Sequence, residues 1–188
     1  MSSHPNLLDA SRSVLLLVDI QTRLSAAMPE VEAQQMSQYC ERLLRAAALL
    51  DVPVIVTEQY PQGLGPTQAN LLERLPAAAP VFAKTGFSCC AAEGFNATLA
   101  TLGRKQVVLA GQETHVCVLQ TALELDCLGY QVHVVTDAVC SRRAEHKAIA
   151  LQRMQQQGVT LGCHESVMFE WLRDASHERF KTISSLLR

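Results

Sequence analysis

The chain is short of charge and of aromatic rings: charged residues make up 18% and aromatic residues 5% of its 188 positions, and the formal net charge is -2. Without a basic excess there is no electrostatic footprint for nucleic acid, and a small molecule is the better-matched partner. No apolar run approaches the length of a membrane span, and the opening MSSHPNLLDASRS lacks the apolar core of a signal peptide. No CxxC pair and no Cys/His spacing of a structural zinc site occurs among Cys40, Cys89, Cys90, Cys117, Cys127, Cys140 and Cys163. An odd, scattered set of this kind reads as free thiols in a reducing compartment, so a soluble, cytoplasmic protein without a membrane partner is expected. There is also no GxGxxG after any strand and no GxxxxGK[ST], so neither a dinucleotide nor a nucleoside triphosphate is expected as cofactor.

What the sequence does have is apolar runs. Hydrophobic residues form 48% of it, which at this length buries a substantial core, and nothing in the composition asks for more than one domain. SVLLLVD (13–19), PVIVTEQ (53–59), VVLA (107–110), YQVHVVTDAV (130–139) and VTLGC (159–163) read as strands, with a short apolar pair before Lys84 as a sixth; Gly111 breaks the run at 107–110. Between the first two, Met36, Tyr39, Leu43, Leu44, Ala47 and Leu50 recur at spacings of three and four, the pattern of a crossover helix in a right-handed βαβ unit. Further helices are expected over 70–75, over 95–102, from Cys117 towards Gly129, and over 142–157, the last capped by Ser141. PQGLGPT and 76–80 read as irregular. The alternation defines an α/β protein: a Rossmann-like doubly wound sheet of about six mainly parallel strands flanked by helices. Residues 1–188 form one domain on this reading. Positions 164–188 are a C-terminal helical tail that packs on its own domain or meets a partner subunit, and a homo-oligomer is expected.

Ligands of open α/β sheets collect at the carboxyl ends of the strands, so the residues ending these runs are the candidates. Cys117 falls on a strand-to-helix turn, where backbone N–H groups and the helix dipole favour a thiolate; the competing reading is a small core hydrophobe. Asp19 ends the first strand as a functional acid, against a cap or loop carboxylate. Lys84, bracketed by Phe82 and Phe87, has an apolar setting that would partly desolvate its ammonium, against an ordinary surface cation. Gln21 faces the same pocket or closes a turn. Thr57, Glu58, Gln59 and Tyr60 line a pocket, or Glu58 is solvated and Tyr60 anchors a loop. Cys89 and Cys90 read as packing residues, since a disulfide between neighbours is strained. Arg142 and Arg143 read as solvated and His115 as structural.

Three strings, LLLVDIQ, FAKTGFS and LAGQETHVCV, occur in an order and at separations that resemble the isochorismatase-like cysteine hydrolases, a superfamily that includes nicotinamidases and N-carbamoylsarcosine amidase. The likeness spans about residues 13–162. It is closest to the branch of isochorismatase domain-containing protein two and its bacterial relatives, through GQETHVCVLQTAL, GYQVHVV and the loop at Ser141 and Arg142. The resemblance implies that Cys117 attacks a small amide-like substrate and forms an acyl-enzyme as the C–N bond breaks. In that attack Asp19 would accept the thiol proton and later deliver a proton to the departing amine, while Lys84 favours the thiolate and orients Asp19. It also implies an oxyanion hole built from the backbone N–H groups of Glu113 and Cys117, with a cis peptide between Gln112 and Glu113. Gln21, Gln59, Tyr60 and Phe87 are expected to bind substrate. Nicotinamidases of this superfamily hold a metal through an aspartate and histidines after the second strand. Thr57, Glu58, Gln59 and Tyr60 stand there instead, so a metal-independent amidase is expected. The alternative is a non-catalytic or weakly active binding or assembly protein that keeps the fold; thiol redox sensing at Cys117 is a third reading.

Overall fold

A computed structural model describes residues 4–188. Six strands, β1 (Ser13–Val18), β2 (Val54–Gln59), β3 (Val81–Lys84), β4 (Gln106–Gln112), β5 (Gln131–Cys140) and β6 (Thr160–Gly162), form one sheet in the order β3-β2-β1-β4-β5-β6. Every neighbouring pair is parallel. The strand order reverses between β1 and β4, and ligands of doubly wound sheets bind at such a switch point.

Among the described residues nine α-helices connect and follow the strands: α1 (Thr22–Ser25), α2 (Glu30–Leu49), α3 (Pro61–Leu64), α4 (Ala69–Leu72), α5 (Phe95–Thr101), α6 (Leu119–Cys127), α7 (Ala144–Gln156), α8 (His164–Leu172) and α9 (Phe180–Ser185). Side chains alternate across the sheet. Leu15, Leu17, Val56 and Val108 pack with Met36 and Leu43 of α2, Trp171 of α8 and Ile183 of α9. Val14, Leu16, Val18 and Leu109 pack with Phe95 of α5, Leu125 of α6 and Met154 of α7. A strand covered on both faces has no polar side to display, which is why β1 reads SVLLLV. The C-terminal helices close onto their own sheet, where the Trp171 indole N–H donates to the Ser13 hydroxyl at 3.0 Å.

Three local expectations fail for physical reasons. Gly111 does not break β4. It pairs with Val18 inside the sheet at φ 117°, where a Cβ would run into the Val18 backbone, so glycine here lets β1 and β4 approach at the switch point. The stretch after β2 is not wholly irregular, because Pro61 opens the short helix α3. Ser141 does not cap α7; Arg143 holds that position without a side-chain cap, and the Ser141 hydroxyl lies 3.0 Å from His115 Nδ1.

Candidate active site

β1 delivers an acid to the switch point. Its apolar run ends at Asp19, which turns left-handed at φ 53°, a conformation short polar residues tolerate, and donates its N–H to the Thr57 carbonyl at 3.1 Å. The carboxylate is fully buried. Its two oxygens accept from the Thr57 hydroxyl and the Lys84 ammonium, each at 2.7 Å. The ammonium comes from the end of β3 and is itself fully enclosed as a side chain. Lys84 also donates to Gln59 Oε1 at 2.6 Å and to the Phe87 carbonyl at 2.9 Å, which satisfies a cation that burial would otherwise make costly.

β4 delivers the thiol. After Gln112 the chain passes a cis peptide to Glu113 and winds one π-helical turn (Thr114–Val118) into α6. Such turns recur where function needs an off-register side chain. Cys117 lies in it at 4% exposure, with its sulfur 3.9 Å from Gln59 Oε1. Burial raises the thiol pKa well above its ordinary value, the Asp19 charge and hydrogen bond push it further, and Lys84 only partly offsets them. The proton therefore stays on sulfur, whose hydrogen-bond partner is Gln59 Oε1, with the Asp19 carboxylate near enough to act on it through its charge. This corrects the expectation that the turn and Lys84 favour a resting thiolate: desolvation outweighs both.

The Glu113 carboxylate is gripped by Arg142 from the loop after β5. The Arg142 backbone N–H reaches Glu113 Oε2 at 3.0 Å and its guanidinium reaches Oε1 at 2.6 Å. Burial works to raise the Glu113 pKa, and the hydrogen bonds and charge of Arg142 outweigh it, leaving the group below the usual carboxylate range. Arg142 thus pairs with Glu113 while its side chain stays largely solvated, as expected. The Glu113 carbonyl accepts from Val116 and Val118, at 3.0 and 3.2 Å.

Of the other expected residues, Gln59 is brought into the site. Gln21 is not: it is fully buried, with its amide spent on the Gln59 backbone N–H at 2.8 Å and on the Gly65 carbonyl, so it braces the loop after β2. Tyr60 and Phe87 are half-exposed at the rim. Glu58 accepts from Thr67 N–H at 2.7 Å. Among the described residues no three His, Cys, Asp or Glu side chains form a cluster able to hold a metal. Thr57, the partner of Asp19, was legible only as one of four residues ending a strand. The grip of Arg142 on Glu113 left no signal in the sequence.

These features define a doubly wound α/β protein with a carboxylate, an ammonium and a thiol enclosed at its switch point. The isochorismatase domain is matched over residues 13–166, and the chain belongs to that family. Isochorismatase domain-containing protein 2A of Mus musculus is 41% identical over 94% of this chain and 82% of its own length. Isochorismatase domain-containing protein 1 of Danio rerio is 38% identical over 96% of this chain, which spans 62% of that longer protein. Among solved structures, a MAR1 ribonuclease from Caenorhabditis elegans superposes with a TM-score of 0.90 at 36% identity, covering 96% of this chain and 91% of that one. The Escherichia coli YcaC product, an octameric hydrolase of unknown specificity, gives 0.91 at 28% identity over 100% and 91%. YcaC from Pseudomonas aeruginosa, with hexane-2,5-diol and covalent acrylamide, gives 0.89 at 28% identity over 98% and 93%.

Proposed function

We propose that this chain is a thiol hydrolase that cleaves the C–N bond of a small amide-like substrate. The observation that carries the reading is the buried Asp19–Lys84 pair, linked through Gln59 Oε1 to the sulfur of Cys117. As sulfur attacks the carbonyl carbon, its proton passes to Asp19, and the oxyanion is received by the backbone N–H groups of Glu113 and Cys117. Asp19 gives that proton to the departing nitrogen as the C–N bond breaks, leaving a thioester. Water then attacks the thioester, Asp19 takes the water's proton, and the thiol and a carboxylic acid are released. Lys84 holds Asp19 in place and charged between the two half-reactions. Gln59, with its carbonyl oxygen shared between Lys84 and Cys117, and Tyr60 and Phe87 at the rim are the substrate contacts.

The reaction is metal-independent on this reading, because the side chains standing where a metal would be held are committed elsewhere: Thr57 to Asp19, Glu58 to Thr67 and Gln59 to Lys84. The covalent acrylamide in P. aeruginosa YcaC supports a site that accepts a small amide beside a reactive group. A polyanionic substrate, as the ribonuclease designation of the C. elegans relative would suggest, suits neither the formal net charge of -2 nor a Cys117 that is buried. Seven unpaired cysteines support a reducing, cytoplasmic setting, and the octameric relative supports a homo-oligomer. One observation favours the second reading, a binding or assembly protein of little turnover: the site is nearly closed over Cys117. Ammonia release from a panel of small primary amides decides between the two. Turnover by the parent chain that vanishes in Cys117→Ser supports hydrolysis; a tight noncovalent ligand with no ammonia from any amide supports binding.

A further inference from the structure

One large apolar side chain of α7 is left uncovered by its own fold. Ile149 stands in the middle of the helix at 64% exposure, whereas most of the large hydrophobic residues of the chain are buried. Beside it, between α6 and α7, lies an open depression of about 240 Å³ lined by His115, Leu119, His146, Ile149, Ala150 and Arg153. Its surface is almost wholly apolar. His115 Nδ1 is taken by the Ser141 hydroxyl and His146 Nδ1 is buried, so neither offers that nitrogen to a ligand in the opening. The face therefore sets a projecting isoleucine next to a hollow of matching chemistry.

The charges around that isoleucine are ordered. Glu145, Ile149 and Arg153 follow at spacings of four and form one row along α7, with a charged residue about 6 Å to either side of the isoleucine. All three are exposed, and among the described residues neither Glu145 nor Arg153 enters an ion pair. An acid in the first turn and a base in the last complement the helix dipole, which accounts for the two charges and leaves the apolar residue between them unexplained. A two-fold axis at Ile149 accounts for all three. It lays a second α7 antiparallel on the first, brings each Glu145 level with the other copy's Arg153, and sets each Ile149 against the other copy's hollow. A parallel pairing would instead oppose like charges at both ends.

We propose that this face of α7 is a self-association surface, on which a second copy of the chain packs its own α7 antiparallel about a two-fold axis at Ile149. The proposal rests on the homo-oligomer reading given above and supplies its contact face; nothing in it depends on the chemistry at Cys117. Rows of side chains four apart are the ridges by which helices most often interlock, and Glu145, Ile149 and Arg153 form such a ridge beside a groove. The covered face includes His115 and Leu119, so the second copy also backs the turn that presents Cys117.

The test is sedimentation velocity of the full chain over a range of concentrations, with circular dichroism to show that each variant keeps the fold. The parent chain should self-associate. Glu145→Arg sets arginine against arginine at both ends of the contact and Arg153→Glu sets glutamate against glutamate, so each should weaken association by about tenfold or more. Ile149→Glu should do the same by placing two carboxylates at the axis. The two reversals combined in one chain restore opposite charges and should recover most of the loss. A parent chain that stays monomeric at every concentration overturns the contact together with the homo-oligomer, and assigns the face to a different protein. Association unchanged in Ile149→Glu and in both reversals overturns the contact while the homo-oligomer stands. A combined variant no better than either reversal alone overturns the antiparallel pairing.

Discussion

Lys84 Nζ lies 2.7 Å from Asp19 Oδ2, and both side chains are wholly shut off from solvent. A charge so placed depends on its partner, because the field of water is no longer there to hold it. Lys84→Met should therefore cost about 3–5 kcal/mol of stability, the usual penalty for stranding one member of a buried pair. Replacing both, as Asp19→Asn with Lys84→Met, should restore much of that loss without restoring turnover. Urea unfolding of the parent chain and the two variants measures it; a double variant no more stable than Lys84→Met would show that the pair is not a coupled unit.

The sulfur of Cys117 should be a poor nucleophile towards iodoacetamide until the carboxylate beside it is neutralised. Burial and the Asp19 charge raise its pKa, in that order, and Lys84 lowers it. Its alkylation rate should thus still be rising above the ordinary thiol pKa of 9.0. Asp19→Asn should speed labelling of Cys117 while abolishing amide hydrolysis, and Lys84→Met should slow it. Peptide-resolved labelling kinetics against the exposed Cys127 provide the measurement; slower labelling in Asp19→Asn would mean that the carboxylate promotes rather than restrains ionisation.

How much of this could be read from residues alone depends on the range of the interaction. Asp19, Lys84 and Cys117 stood out because an apolar run or a turn next to each marks the end of a buried parallel strand, and that end is where the topology gathers chemistry. The sheet was legible for the same reason. Pairings between distant positions were not: Arg142 looked like any arginine at a loop boundary, and its commitment to Glu113 exists only because β4 and β5 lie side by side. Gln21 stood open between a pocket wall and a turn closure, and nearness to Asp19 in sequence could not choose between them, whereas its amide ties down the next loop. Asp137 of β5 likewise meets His164 at the start of α8 at 2.6 Å, a pairing between distant positions that no periodicity announces.

Arg142 should matter to turnover more than to binding. Its hold on Glu113 fixes the residue whose N–H is assigned to the oxyanion, so Arg142→Gln should lower kcat by about tenfold to a hundredfold, short of removing an oxyanion donor outright. KM should move little, and Arg142→Lys should recover only part, because an ammonium cannot reproduce the fork. Steady-state kinetics separate the parameters; an effect confined to KM would place Arg142 in substrate binding instead.

His133 should make the fold acid-sensitive. It sits on β5 at 5% exposure with Nε2 unpartnered, and burial lowers its pKa from 6.5 to about 4. The unfolded chain takes up this proton below about pH 6.5 and the folded chain only near pH 4, so the imidazole's contribution is complete above that window and lost as pH falls through it. Between pH 7 and pH 5 the parent chain should lose about 2 kcal/mol that His133→Phe does not. Parallel urea titrations test it; equal losses in the two proteins would show that His133 is proton-accessible in the fold.

The central claim is that the thiol of Cys117 becomes acylated. The direct measurement is mass spectrometry of the peptide containing Cys117 after brief incubation with a pool of small amides and an acid quench. An added acyl mass on Cys117, absent when the carboxylate is removed in Asp19→Asn, is the result predicted. Ammonia release from the same pool with Cys117 unmodified at every time point, or undiminished release from Cys117→Ser, would contradict it.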